Sequence, residues 1–272
     1  MLAALPAPFT CIGDQMNSNV QSLLRGLEIL DVLADAQDGK ASLSDVTRLT
    51  GLSPSTVHRL LTTLVDNGYV GRDGESRSYV LGNRLLRFSP TLKRRTSALR
   101  ELAHPRLEAI TRQTGETSNL VVLDRTVAVY VDQVEGTHPL RMVPGVGATF
   151  PAYTSASAKA ILAWQRDGRA LDLIFEKAPL KPLAGQTITD RGTFARDLKA
   201  TVARGYALEQ DELEDGVSCI AAPIRGQDGV SIAAISVPGP TPRVLSPNAE
   251  RIGNLIREQA LMVSRALGYR PR

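Results

Sequence analysis

The residues able to do chemistry are few and scattered. Ser155, Ser157 and Lys159 stand close together, but a lysine-activated serine sits one helical turn before its lysine, as in S-x-x-K, and the residue three before Lys159 is Ala156. No G-x-S-x-G elbow occurs. Gly145-Val-Gly147 opens like a dinucleotide loop, yet the third glycine position is Phe150, and no GK[ST] phosphate loop exists, so Gly145 and Gly147 read as turn residues. The acidic run Glu209-Gln-Asp-Glu-Leu-Glu-Asp215 has ligands for Mg²⁺, although such a charge run reads first as a solvated loop. Cys219 stands in an apolar run without an adjacent base and reads as a buried, inert thiol. Cys11 and Cys219 form no CxxC, and His58, His104 and His138 are dispersed, so zinc is not expected. No catalytic residue, metal site or cofactor is expected.

The chemistry left is recognition, and charge points to where. The net charge is only +4 over 272 residues. Residues 1–53 carry three basic and six acidic side chains, whereas residues 54–95 carry eight basic (Arg59, Arg72, Arg77, Arg84, Arg87, Lys93, Arg94, Arg95) and three acidic. A locally basic segment attracts phosphate through counterion release. With 5 Phe, 6 Tyr and 1 Trp, the chain is too poor in rings to build a stacking groove for single strands.

The elements that would position that segment are legible. Ser18 and Gln21 fit a capping box ahead of a first helix whose Val20, Leu23, Leu24, Leu27, Leu30 and Leu33 recur at helical spacing. Ser42 and Asp45 start a second, short helix that Gly51 ends. Ser53 caps a third with Pro54 at its first position and Val57, Leu60, Leu61 and Leu64 as its apolar stripe, stopping at Gly68. Two helices separated by a short Gly-containing turn make a helix-turn-helix. Tyr69–Arg72 and Arg77–Leu81 then alternate like strands about a turn at Asp73–Gly74, which predicts a wing. At about 100° per residue, the third helix carries Ser55, Thr56, Arg59, Thr62 and Thr63 opposite its apolar stripe, with His58 on the flank. Short hydroxyls around one arginine suit base edges and phosphates, and Arg72 and Arg77 on the wing suit the backbone or minor groove.

A winged helix-turn-helix domain is therefore expected over 17–83, a linker helix over 84–103 with Pro105 kinking it or starting a new helix, and a second domain over 104–270. Residues 1–16 lack periodicity and are expected to be disordered, with Met16 an alternative start. The opening MLAALPAPFTCIG has no basic n-region and is broken by Pro6 and Pro8, so it reads as neither signal peptide nor membrane span, and a cytoplasmic protein is expected. Beyond the linker, β-branched runs at Leu120–Leu123, Val127–Val134, Leu140–Val143, Ser218–Ile224 and Val230–Val237 predict strands. Helices are expected over about 156–164, 193–204 and 247–267. The class is α+β with an antiparallel sheet.

The stretch Gly51-Leu-Ser-Pro-Ser-Thr-Val-His-Arg-Leu-Leu61, with Asn67-Gly-Tyr-Val70 and Tyr79-Val-Leu-Gly82, resembles the IclR family of bacterial transcriptional regulators. The resemblance continues through Thr114-Gly-Glu-Thr117, Leu140-Arg-Met142, Ala156-Ser-Ala-Lys-Ala160 and Gly216-Val-Ser-Cys-Ile-Ala-Ala-Pro223, over about residues 19–268. It implies a homodimer or dimer of dimers on a pseudo-palindromic double-stranded DNA operator, with a GAF-like C-terminal domain that binds a small effector, often a carboxylate. Carried over by motif, the effector-binding residues are Met142, Ala156, Ser157, Ala158, Glu209, Cys219 and Ser236. Backbone N–H groups at the helix start near Ala156 would suit a carboxylate. The chain departs from the family at Ser53–Pro54, where Pro-Lys is common, at Ala158 for Gly, at Pro238 for Ser, and at Glu209 for Asp. An ionised Glu209 would repel a carboxylate and is expected to face a hydroxyl, a carbonyl or water. Two further readings stay open at this level: a small-molecule sensor acting through protein contacts, and an enzyme built on the C-terminal domain.

Overall fold

The computed structural model describes residues 20–74, 77–176 and 179–271, in two compact units that divide between Arg95 and Thr96. The first unit holds α1 (Gln21–Ala34), β1 (Lys40–Ala41), α2 (Leu43–Thr50), α3 (Pro54–Asp66), β2 (Val70–Arg72) and β3 (Tyr79–Leu81). Its core is Ile29, Val32 and Leu33 from α1, Val46 from α2, and Val57 and Leu61 from α3, closed by Ala41, Val70 and Tyr79. The local signals explain α2 and α3. The Ser42 hydroxyl accepts the Asp45 N–H while the Asp45 carboxylate accepts the Ser42 N–H, and Gly51 ends the helix at φ 67°. Ser53 accepts the Thr56 N–H, and Pro54 fills the first turn without losing a bond.

Three expectations need correction here. The first helix begins at Gln21 after Val20, which offers no side-chain cap, so the Ser18–Gln21 box does not start it; Ser18, like residues 1–16 and Met16, lies outside the described residues. The wing has a third strand: β1 pairs antiparallel with β3, which lies between β1 and β2. Where β3 leaves the sheet, a Cβ on Gly82 would stand 2.2 Å from the Gly68 carbonyl oxygen, so only glycine fits there. The third correction concerns the linker. A 3-10 turn (Asn83–Arg87) precedes α4 (Ser89–Thr114), which runs unbroken through Pro105 and beyond the expected end at 103. Pro105 is exposed, as is Glu101, whose carbonyl loses its partner and can be hydrated, while Ala103, Leu107 and Ile110 are buried along the opposite side.

The second unit continues with β4 (Ser118–Asp124), β5 (Val127–Val134), β6 (Thr149–Pro151), α5 (Ala156–Leu162), α6 (Arg169–Phe175), α7 (Arg191–Arg204), β7 (Ala207–Gln210), β8 (Val217–Arg225), β9 (Ser231–Pro240), α8 (Thr241–Val244) and α9 (Ala249–Ala266). The sheet is antiparallel in the order β6-β5-β4-β9-β8-β7. One face, with Leu120, Ile220, Ile224, Ile235 and Val237, packs on Ala103, Leu107 and Ile110 of α4 and Ile252, Ile256 and Val263 of α9. The other face carries Cys219, Ala221 and Ala234 against Ala156, Ala160 and Ile161 of α5, with Val121, Ala128 and Tyr130 in an adjoining core.

The strand expected at Leu140–Val143 does not form. Residues 135–148 carry no regular element, and Leu140 is 68% exposed. The free edge of β5 is taken instead by Thr149–Pro151, through Val127↔Pro151 and Ala128↔Phe150. Gly145 and Gly147 are turn residues at φ 84° and 94°.

Candidate functional site

The first candidate surface is the outer side of α3 and the wing. Ser55, His58, Arg59, Thr62 and Thr63 are exposed and Thr56 half-buried, all on the side of α3 away from Val57 and Leu61. The hydroxyls of Thr62 and Thr63 donate to the carbonyls of His58 and Arg59, which orients them and leaves their lone pairs outward. Arg59 makes no ion pair among the described residues. On the wing, Arg72 lies over the Tyr79 ring at 5.4 Å and donates to its hydroxyl. Arg77 is exposed in a left-handed conformation at φ 53° beside the turn, whose residues 75 and 76 lie outside the described ones. Sequence reasoning missed Arg84, which stacks on Tyr69 at 5.0 Å and donates to the Asn67 carbonyl, fastening the chain after the wing to the end of α3.

The second candidate is the α5-facing side of the sheet. Six of the seven residues expected to touch an effector lie there and are buried: Ala156, Ser157 and Ala158 on α5, Glu209 on β7, Cys219 opposite it on β8, and Ser236 on β9. Met142 is apart from them in character. It is half-buried in the irregular 135–148 segment and packs against none of the apolar cores. That segment is held by Arg243, which donates to the Leu140 carbonyl at 2.7 Å and forks onto the buried Glu116 at 2.6 and 2.9 Å.

The electrostatics of this face differ from the sequence expectation. Burial pushes the Glu209 carboxyl up to about 8, although its Oε1 accepts the N–H groups of Glu212 and Leu213. It is therefore mostly protonated at neutral pH, and the repulsion expected between Glu209 and a carboxylate is relieved. Burial, reinforced by Glu209, raises the Cys219 thiol far above its ordinary value, which makes it inert; the Tyr130 phenol is raised in the same way, with Cys219 and Glu209 contributing. The start of α5 is occupied from within, because Ser155 Oγ accepts the Ala158 N–H at 3.3 Å. One of the backbone donors assigned from sequence to a carboxylate is thus already used.

The acidic run is not a solvated loop. Glu212 is buried and accepts from Lys159 Nζ at 2.6 and 2.7 Å; Lys159 is fully buried and also pairs with Asp197 at 2.7 Å. Asp211 accepts from Thr241 Oγ1 and the Gly216 N–H, and Asp215 from the Gly185 N–H. No cluster of three or more His, Cys, Asp or Glu able to hold a metal occurs among the described residues. Sequence reasoning also passed over Asn119, buried on β4 directly opposite Ser236. Its signal was an amide just ahead of the apolar run Leu120–Leu123.

A capped recognition helix with a wing, in one chain with an α+β unit that buries a neutral polar cluster, defines a ligand-responsive, DNA-binding transcription regulator. The chain belongs to the IclR family: the IclR helix-turn-helix domain matches residues 22–74 and the bacterial transcriptional regulator IclR C-terminal domain matches residues 93–265. It is 32% identical to the HTH-type transcriptional regulator XynR of Escherichia coli, over 92% of this chain and 98% of that one. The Thermotoga maritima IclR structure superposes with a TM-score of 0.68 at 31% identity, covering 92% of this chain and all of that one. An IclR homolog from Microbacterium hydrocarbonoxydans, complexed with 4-hydroxybenzoate, gives 0.70 at 25% identity, covering 91% and 99%. No helix among the described residues is long and apolar enough to cross a membrane.

Proposed function

We propose that this chain is a cytoplasmic repressor or activator that inserts α3 into the major groove of a pseudo-palindromic operator and releases or grips it in response to a small carboxylate. Ser55, Thr56, His58, Arg59, Thr62 and Thr63 make the groove and phosphate contacts, and Arg72 and Arg77 the flanking ones. The effector sits among Met142, Ala156, Ser157, Ala158, Glu209, Cys219 and Ser236. It is bound and released unchanged, without turnover.

The observation that carries the DNA reading is the exposed hydroxyl-and-arginine face of α3, which lacks an acidic partner among the described residues. A homodimer, or a pair of dimers, is supported by a second apolar stripe on α1. Val20, Leu23, Leu24 and Leu27 recur at helical spacing and are 46–63% exposed, and Leu86 and Phe88 of the same unit are also exposed. The 4-hydroxybenzoate bound by the Microbacterium relative supports an organic acid as effector.

The test is titration of the purified chain against DNA from its own promoter region, at increasing salt and with carboxylic acids added. Specific binding that weakens linearly in log–log salt and shifts with an acid is expected. Binding to random DNA with equal affinity, or consumption of the acid, refutes the proposal.

A further inference from the structure

Two buried polar atoms on the α5-facing side of the sheet lack partners, and they are neighbours. Asn119 on β4 and Ser236 on β9 are directly opposite in register, so their side chains leave the same face. Both residues are fully buried, and neither Asn119 Nδ2 nor Ser236 Oγ has a hydrogen-bond partner. The Ser236 hydroxyl faces the Cys219 thiol, a weak sulfur partner, and makes no full hydrogen bond to an oxygen or nitrogen. Such orphans are rare because each carries its full desolvation penalty. The remaining orphaned atoms among the described residues belong mostly to groups already in ion pairs, such as Arg100 with Asp132 and Arg204 with Asp197. Asn119 is uncharged and has no such compensation, and Ser236 has only the weak thiol of Cys219 beside it.

The amide of Asn119 has a defined orientation. Its Oδ1 accepts from Gln133 Nε2 at 2.7 Å, on the neighbouring strand and in register, which leaves the NH₂ as the free end. That end can only donate. Beside it, the Ser236 hydroxyl can donate as well, so the pair matches a group with two acceptor oxygens, and an amine would leave the Asn119 donors unmet. Nearby groups that could otherwise hold an acid are engaged within the fold. Lys159, the buried cation of α5, is engaged by Glu212 and Asp197, and the Ala158 N–H by Ser155. Glu209, opposite Cys219 and mostly protonated at neutral pH, adds no fixed charge against an acid.

We propose that Asn119 is an effector-contact residue that works with Ser236 as a donor pair across β4 and β9, and that the pair receives the oxygens of a small organic acid without help from any cationic side chain. The proposal rests on the assignment of the effector to this face of the second unit, and Cys219→Trp tests that assignment separately.

The experiment measures thermal shift and calorimetric affinity of the full chain with formate, acetate, benzoate and 4-hydroxybenzoate, for the wild type and for Asn119→Leu, Ser236→Ala and Cys219→Trp. Wild type binds at least one of these acids. Ser236→Ala removes an unpartnered hydroxyl, so its Tm without acid holds or rises; Asn119→Leu also gives up the Oδ1 bond to Gln133, so its Tm falls modestly; in both, affinity for the acid drops roughly ten- to a hundredfold. A residue with a merely structural role would lower Tm and leave the affinity alone. If Asn119→Leu keeps wild-type affinity while Cys219→Trp loses binding, the role of Asn119 is overturned and the effector site stands. If Cys219→Trp also binds normally, the site assignment falls as well. Failure of all four acids to bind wild type overturns the acid class. Should Asn119→Leu not fold, Asn119→Ser decides by the same comparison of affinity against Tm.

Discussion

Replacing Lys159 by methionine removes the cation paired with the buried Glu212 carboxylate while keeping most of the side-chain volume. In the native protein, burial raises the Glu212 carboxyl from its ordinary 4.5, and Lys159, at 2.6 Å, opposes that shift. Without Lys159 the carboxylate must either stay charged in a dry site or take up a proton. Protonation is the cheaper route, and at pH 7 it costs about 1.4 kcal/mol for each unit above 4.5, or about 3.5 kcal/mol. Asp197 adds little, because it is partly exposed and keeps Arg204 at 3.7 Å. For a unit of this size, that loss lowers Tm by about 7–14 °C. The pH dependence separates the mechanism from simple mispacking. In the variant, the folded-state value of Glu212 lies well above its unfolded value, so stability is retained below about 4.5 and lost as pH rises. The deficit against wild type should therefore shrink to about 1 kcal/mol at pH 5. Thermal and urea melts at pH 5 and 7 measure it, and Lys159→Met/Glu212→Gln should recover most of the loss at pH 7. A deficit below about 1 kcal/mol at pH 7, or one that persists unchanged at pH 5, would refute the reasoning.

Other expectations follow from the same structure. Glu209, held at about 8 in the folded chain against 4.5 when free, contributes stability that is full below about 4.5 and is lost as pH rises through 8; melts of Glu209→Gln should show a flatter decline between pH 5 and 8.5 than wild type. Arg59→Ala should weaken operator binding by about 1–3 kcal/mol and relax preference at one base pair, read by mobility shift on an operator library; unchanged affinity and preference would count against α3 as the reading helix. Ser42→Ala breaks the capping box of α2 and should cost the first unit about 1 kcal/mol in urea melts, a loss that Ser42→Asp largely restores.

What was legible in the sequence was what the chain specifies locally. Ser42, Asp45 and Gly51 bracket α2 within ten residues, and Ser53 with Pro54 sets α3, so both helices and their outward faces could be read directly. Features created by distant partners were not legible. Lys40 and Ala41 become a strand only by lying against Tyr79 and Val80. Leu140–Val143 has strand composition, yet the edge it would need belongs to Thr149–Pro151. Pro105 carries a helix-breaking signal that packing of Ala103, Leu107 and Ile110 overrides. On the α5-facing side of the sheet the sequence motifs named residues that the fold gathers there, but not their charge states. Glu209 and Glu212 look solvated in a run of acids until burial and Lys159, far away in sequence, decide otherwise. Asn119 stood out in the sequence only as an amide ahead of an apolar run; its significance lies in a missing hydrogen bond, which only coordinates reveal.

The pairing of Lys40 with Val80 joins positions forty residues apart, and the ion pair of Lys40 with Asp73 ties the same segment to the wing turn. Between those partners in the chain lie α2 and α3, so β3 gains its central place in the sheet only once both helices have brought its partner strand within reach. The β1–β3 pairing is thus the least local contact of the wing sheet, whereas β2 and β3 meet across a short turn, and the sheet shares one core with α3 through Val70 and Tyr79. Under thermal or mutational stress the two are lost together. A weakened first unit would leave a smaller fraction of chains competent to bind, with each competent chain retaining full discrimination between operators.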